Sequence, residues 1–278
     1  MNKKQRTSIV IVRFVVLLGY LLMVLAPFYW LFITSLKPKL DILTTNIQYW
    51  PKHITFDNYI YLFETSNFAV FFKNSIILSL ATGLFGTSLA VLGGYAMARF
   101  KFRGHKLVIY GLLLTQLIPG VLVLVPTIIM YSKLGLTNTM GGLILFYTVG
   151  TIPFSLILMR SFFDRIPMDL EEAALIDGCN KMQSLFKIIL PLMVPGVIAT
   201  FIFAFIGAWN DLLGAVMIIS SDSLKTIPVG LNMFIHNYDI DWGVMTAGGI
   251  AATVPSLIMF AFMQRFVVNG LTDGAVKG

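Results

Sequence analysis

The sequence predicts an all-α integral membrane protein with six transmembrane helices and both termini in the cytoplasm. Three observations predict it. Hydrophobic residues make up 57% of the chain and charged residues only 12%, about half the charged share of a soluble domain. The apolar residues fall into six long runs, each long enough for a helix to cross the hydrocarbon core, which takes about 17–25 residues. The basic residues gather at alternate ends of those runs, and that asymmetry sets orientation.

The first run covers residues 14–34, behind Lys3, Lys4, Arg6 and Arg13. It is too long for a signal peptide and no small-residue cleavage site closes it, so it reads as a retained helix. Residues 35–67 are mixed and aromatic, a substantial external loop. The second run is 68–98, closed by the basic turn Arg99, Lys101, Arg103 and Lys106. The third, 107–130, holds Pro119 and Pro126, which predict kinks. The fourth, 141–159, holds Pro153. A charged stretch at 160–187 follows, then a fifth run at 188–219. Residues 220–242 are polar, and Pro228 and Gly230 suit an irregular loop. The sixth run is 243–268, with a short tail to Gly278. The whole chain, 1–278, reads as one transmembrane domain.

Orientation follows from charge. The N-terminal segment, the Arg99 turn, the 160–187 stretch and the tail carry more basic residues for their length than the other side, which holds Lys37, Lys39, Lys52, Lys73, Lys133 and Lys225. The positive-inside rule puts the former in the cytoplasm. The net charge of +7 suits anionic lipid headgroups. The basic residues flank apolar runs and form no patch, which argues against nucleic acid.

The 160–187 stretch is the most informative. Asp169 can cap a short helix, with Glu172 closing a capping box, and the acidic first turn suits the positive end of the helix dipole. Gly178 stands where a glycine ends such a helix. Asn180 and Gln183 repeat the cap signal for a second helix, with Met182, Leu185, Phe186 and Ile189 on one face. Pro191 marks the bend into the next run. Two capped helices with small residues at the centre read as a docking surface.

Glu172-Ala173-Ala174, then Gly178, then Ile188 and Leu190-Pro191, resembles the EAA signature of permease subunits of bacterial ATP-binding-cassette importers, with every fixed position filled. Trp209-Asn210-Asp211 and the tail from Gly270 to Gly278 resemble the maltose/maltodextrin type. The resemblance implies a type I importer permease fold in a bacterial inner or plasma membrane. It implies a second homologous permease, two cytoplasmic ATPase subunits and an external solute-binding protein as partners. ATP and magnesium would sit on the ATPases, with no cofactor on this chain. Asp169, Glu171, Glu172, Ala173, Ala174, Asp177, Gly178, Ile188, Leu190 and Pro191 would then form the ATPase-coupling loop. The substrate would be a sugar, an oligosaccharide by this resemblance. Another solute, such as glycerol phosphate or a polyamine, is the alternative, and an ion-coupled secondary transporter is a further one.

Asp211 lies in an apolar run with no basic neighbour in sequence. Trp209, Asn210 and Asp211 together suit sugar hydroxyls, and equally a hydrogen bond between helices. In the polar loop, His236, Asn237, Tyr238 and Asp239 offer the groups a binding protein or its sugar would meet. Asp239-Ile240-Asp241 is the one hint of an enzyme, a weak divalent-metal spacing. His53, His105 and His236 have no ligand spacing, the single Cys179 excludes a disulfide, and no phosphate-loop pattern occurs. No catalytic or metal site is therefore expected on this chain.

Overall fold

In the computed structural model, the backbone is described for residues 3–235 and 240–275, and side chains for residues 9–235 and 240–264. The described chain is helical almost throughout. In order the helices are α1 (Lys3–Ser35), α2 (Lys39–Ile42), α3 (Asp57–Ile60), α4 (Phe68–Arg99), α5 (His105–Leu117), α6 (Gly120–Lys133) and α7 (Met140–Phe163). Then follow α8 (Asp169–Ile176), α9 (Lys181–Ser184), α10 (Leu190–Leu192), α11 (Val194–Asn210), α12 (Leu213–Ile218), α13 (Ile227–Asn232) and α14 (Trp242–Ala275). Wider π turns occupy Tyr61–Thr65 and Leu185–Ile189.

Among the described residues, four helices are long and apolar enough to cross a membrane alone: Ile9–Ser35 of α1, all of α4, all of α7, and Trp242–Gln264 of α14. Two further spans are possible only as bent pairs. The third apolar run breaks between α5 and α6 at an angle of 101°. Pro119 sits at this break as the N-cap of α6. It lacks the N–H that would continue α5, so the expected kink is a full break. Pro126 stays inside an unbroken α6.

The fifth run departs most from expectation. The sequence predicts one span over 188–219, with the bend at Pro191. Instead the bend, of 82°, falls between Leu192 and Val194. Pro191 is tolerated in the first turn of α10, and Pro195 in the first turn of α11. A proline in a first turn forfeits no helical bond, but it cannot extend a helix arriving from before it. The run breaks again at Asp211, which is extended (ψ 127°), before the short α12.

The chain divides into two compact units, residues 1–68 with 231–254, and residues 69–230 with 255–278. In the first, the long loop after α1 is tied down. Asn58 Nδ2 donates to the carbonyls of Ser35 and Lys37, both at 2.9 Å. The Ser35 and Tyr59 hydroxyls meet at 2.8 Å. Lys37 is buried, donates to the Gln48 carbonyl at 2.6 Å and lies over the Trp30 ring. Burial holds its ammonium below the usual lysine range, against the pull of Asp41. None of the best membrane-crossing window of α1 is buried. Its Val, Leu and Phe side chains are exposed all round, as befits a helix bathed in lipid or covered by another protein.

In the second unit, α4, α7 and α11 form the core. Glycines let α4 approach α7 closely. A Cβ on Gly94 would lie 3.0 Å from Met159 Cβ and 3.1 Å from the Arg160 nitrogen. Each glycine costs an interior helix about 1 kcal/mol against alanine, which close packing here offsets. One cluster gathers Leu78, Leu143, Tyr147, Ala208 and Ile218. Another gathers Val91, Tyr95, Met159, Phe163, Leu185 and Ile189 at the Arg99 end of α4.

Residues 222–232 of the polar stretch are more ordered than an irregular loop. Pro228 and Gly230 lie inside α13, which buries Ile227, Val229 and Gly230. The preceding turn is fastened to α4. Asn74 Nδ2 donates to the carbonyls of Ser223 and Lys225, both at 2.9 Å, and Ile227 N donates to Ser75 Oγ at 2.8 Å.

Candidate coupling site

α8 starts with Asp169, Glu171 and Glu172 in its first turn, so three carboxylates face the positive end of its dipole. The expected capping box is absent here. Met168 is the N-cap, in helical conformation, and no side chain caps the helix. Asp169 is itself helical, whereas a capping residue needs extended backbone. It acts through its charge. The amides of Glu171 and Glu172 bond the Met168 carbonyl at 2.9 and 3.1 Å.

The end of α8 follows the sequence reading. Gly178 has φ +85°. Its amide bonds the Leu175 carbonyl at 3.1 Å, and the Cys179 amide bonds the Ala174 carbonyl at 3.0 Å. This is the paired closure of a left-handed glycine cap. The capping box of the second helix is also present. Asn180 Oδ1 accepts from Gln183 N at 2.8 Å, and Gln183 Oε1 accepts from Asn180 N at 2.9 Å.

The two neighbouring glutamates part company. Glu171 turns inward. It pairs with Arg99 Nε at the end of α4, and Tyr95 donates its hydroxyl to Glu171 Oε2 at 3.1 Å. Arg99 Nη2 donates to the Ile166 carbonyl at 2.9 Å. Both charged side chains are largely buried, at 7% and 13% exposure. Glu172, Ala173, Ile176 and Asp177 are exposed, Ile176 to 86%. Beneath them Ala174 is buried. The outward face of α8 is thus an apolar patch edged by acids.

The second half of the motif serves packing. Ile188 and Leu190 lean on the cluster around Leu185 and Ile189, and Pro191 lies in the exposed first turn of α10. Met182 and Phe186 do not share the buried face of Leu185 and Ile189; they are half exposed. The π turn at Leu185–Ile189 widens the helix there and breaks the 3.6-residue period.

Trp209 is buried, stacked on Phe205 at 5.7 Å and edge-on to Phe72 at 5.8 Å. Asn210 is exposed. Asp211 Oδ1 accepts from the Tyr147 hydroxyl and from the Gly214 amide, each at 2.7 Å. It therefore joins α7 to the start of α12. A separate cavity of about 410 Å³ between α4 and residues 186–201 offers only Thr87 and Ser88 as polar lining, too few for a hydroxyl-rich ligand. His236, Asn237, Tyr238 and Asp239 lie outside the described residues, as do the side chains of the tail from Gly270 to Gly278.

Sequence reasoning missed Tyr95 as a partner and counted Arg99 only as a topogenic charge. The available signal was an arginine ending an apolar helix in a chain with two adjacent glutamates. It also missed Asn138, at φ +55°. Asn138 Oδ1 accepts from the amides of Ser220 and Ser221 at 3.1 and 2.9 Å.

Residues 86–269 match the family described as binding-protein-dependent transport system inner membrane component. The chain belongs to that family. It is 36% identical over 262 residues to the trehalose transport system permease protein SugB of Mycobacterium tuberculosis, covering 94% of each chain. It is 33% identical over 276 residues to the trehalose/maltose transport system permease protein MalG of Thermococcus litoralis, covering 97% of this chain and 98% of that one. It is 34% identical over 252 residues to the diacetylchitobiose uptake system permease protein DasC of Streptomyces coelicolor, covering 91% of each. A chain of the bacterial transporter that imports the acidic polysaccharide alginate shares the fold, with a TM-score of 0.82 at 22% identity, over 95% of this chain and 98% of that one. These relatives are transport permeases and not enzymes, and this chain is an inner-membrane permease component. Membership of a binding-protein-dependent system replaces the ion-coupled alternative.

Proposed function

We propose that this chain is the permease subunit of an ATP-driven importer for a di- or oligosaccharide, with maltodextrins one member of that class. The outward face of α8 carries the proposal: acids and a bare isoleucine on a helix closed by a left-handed glycine fit a cleft on a cytoplasmic ATPase. Relatives named for trehalose, trehalose/maltose and diacetylchitobiose supply the substrate class. The chain works as one membrane domain beside a second permease, with both termini and α8 in the cytoplasm. Two ATPase subunits hold ATP and magnesium and move α8 as they close. A solute-binding protein docks on the opposite side, with His236, Asn237, Tyr238 and Asp239 the residues assigned to that contact by their chemistry. Trp209, Asn210 and Asp211 border the substrate path, Asn210 with a side chain free to reach it.

Reconstitution tests this reading. Proteoliposomes holding both permeases and the ATPase, with the binding protein outside and ATP inside, should take up a labelled di- or oligosaccharide. Uptake of glycerol phosphate or a polyamine, with no sugar uptake, would overturn the substrate class.

A further inference from the structure

We propose that Arg99 and Tyr95, outside the signature, are positioning residues that fasten α8 to the end of α4 and so transmit its movement to the membrane helices. This rests on the transport reading above and adds the residues through which force passes.

Three ties run from one helix end to both sides of α8. Arg99 and Tyr95 occupy both oxygens of Glu171. The second arm of Arg99 holds the Ile166 carbonyl in the turn that leads into α8. Lys181 of α9 lies 4.6 Å from the centre of the Phe100 ring, a cation–π contact that holds the following turn. One turn back, α4 meets the α7 backbone at Gly94. Helix α8 is thus joined to α7 by chain and to α4 by side chains.

A buried ion pair adds little net stability compared with apolar packing. Its directional geometry is what apolar packing lacks: a planar guanidinium fixes the position of the carboxylate and the carbonyl together. Tyr95 also packs against Phe163, the last residue of α7, at 5.5 Å between ring centres. A displacement of α8 therefore cannot leave α4 behind without breaking charged hydrogen bonds. Physical proximity alone does not show coupling, so the test must read coupling directly.

The test uses the reconstituted complex and measures sugar transported per ATP hydrolysed. Arg99→Met should keep the ATPase bound at wild-type amounts while transport per ATP falls about tenfold, within the usual span of coupling energies. Arg99→Lys should recover part of the loss, and Tyr95→Phe should lose less than Arg99→Met. Unchanged transport per ATP in Arg99→Met would overturn the proposal. So would a loss of transport matched by loss of ATPase from the complex, since that is a purely structural effect. The wild-type arm separates the two ideas. No ATP-driven uptake by the wild type overturns the transport reading itself, whereas normal coupling in Arg99→Met overturns only the role of Arg99.

Discussion

Tyr147 donates its hydroxyl to Asp211 at 2.7 Å, and the Gly214 amide donates to the same oxygen at 2.7 Å. An acid in an apolar segment is costly unless its charge is answered. Here one carboxylate oxygen both starts α12 and binds α12 to α7. Tyr147→Phe should cost about 1.5–3 kcal/mol, the usual worth of a hydrogen bond to a charged group. Asp211→Leu should cost more, because it also leaves the Gly214 amide without its acceptor. Thermal unfolding of the purified complex checks both. A raised KM for sugar in Asp211→Asn with unchanged thermal stability would show that Asp211 serves the substrate path and not this tie.

Gly178 permits a second test. At φ +85°, any side chain is strained, yet a Cβ there meets nothing within 4 Å. The penalty is therefore conformational only, about 1–2 kcal/mol for a left-handed residue. Gly178→Val should loosen the end of α8 and weaken ATPase retention, while Gly178→Asn should do so much less, since asparagine tolerates this conformation. Pull-down of the ATPase at graded salt measures the difference. Equal loss in both variants would show that crowding by a partner, and not backbone strain, governs the position.

Asn138 holds the start of the 220–230 segment. Its amide donates to the Ile218 carbonyl at 2.7 Å, and Nδ2 donates to Ser221 Oγ at 2.7 Å. Asn138→Gly keeps the backbone free to adopt φ +55° but removes the side-chain bonds. Asn138→Ala removes the bonds and adds strain. Hydrogen exchange at the Ser220 and Ser221 amides should speed in both variants, with global stability falling further in Asn138→Ala.

The sequence carried the long elements well and the breaks poorly. The second run, predicted over 68–98, is the helix Phe68–Arg99, because a uniform apolar stretch ending in charge has one helical solution in lipid. The fifth run hid two breaks. Hydropathy registers Asp211 as one polar residue and cannot see that its carboxylate starts a new helix. Glu171 and Glu172 were indistinguishable in sequence. Their different fates depend on which side of α8 faces Arg99, 72 positions earlier. The left-handed glycine and the Asn180 box were legible because caps are local chemistry. The capping box proposed for Asp169 failed because the turn from α7 delivers Met168 already helical.

We propose that a cytoplasmic ATPase grips the outward face of α8. Site-directed cross-linking tests it most directly. With Cys179→Ser removing the natural thiol, Ala173→Cys in the assembled complex should cross-link to the ATPase subunit with a short reagent, more slowly when ADP replaces ATP. Phe203→Cys, on an exposed face of α11, should not. No ATPase adduct from Ala173→Cys in a complex that still transports would contradict the account.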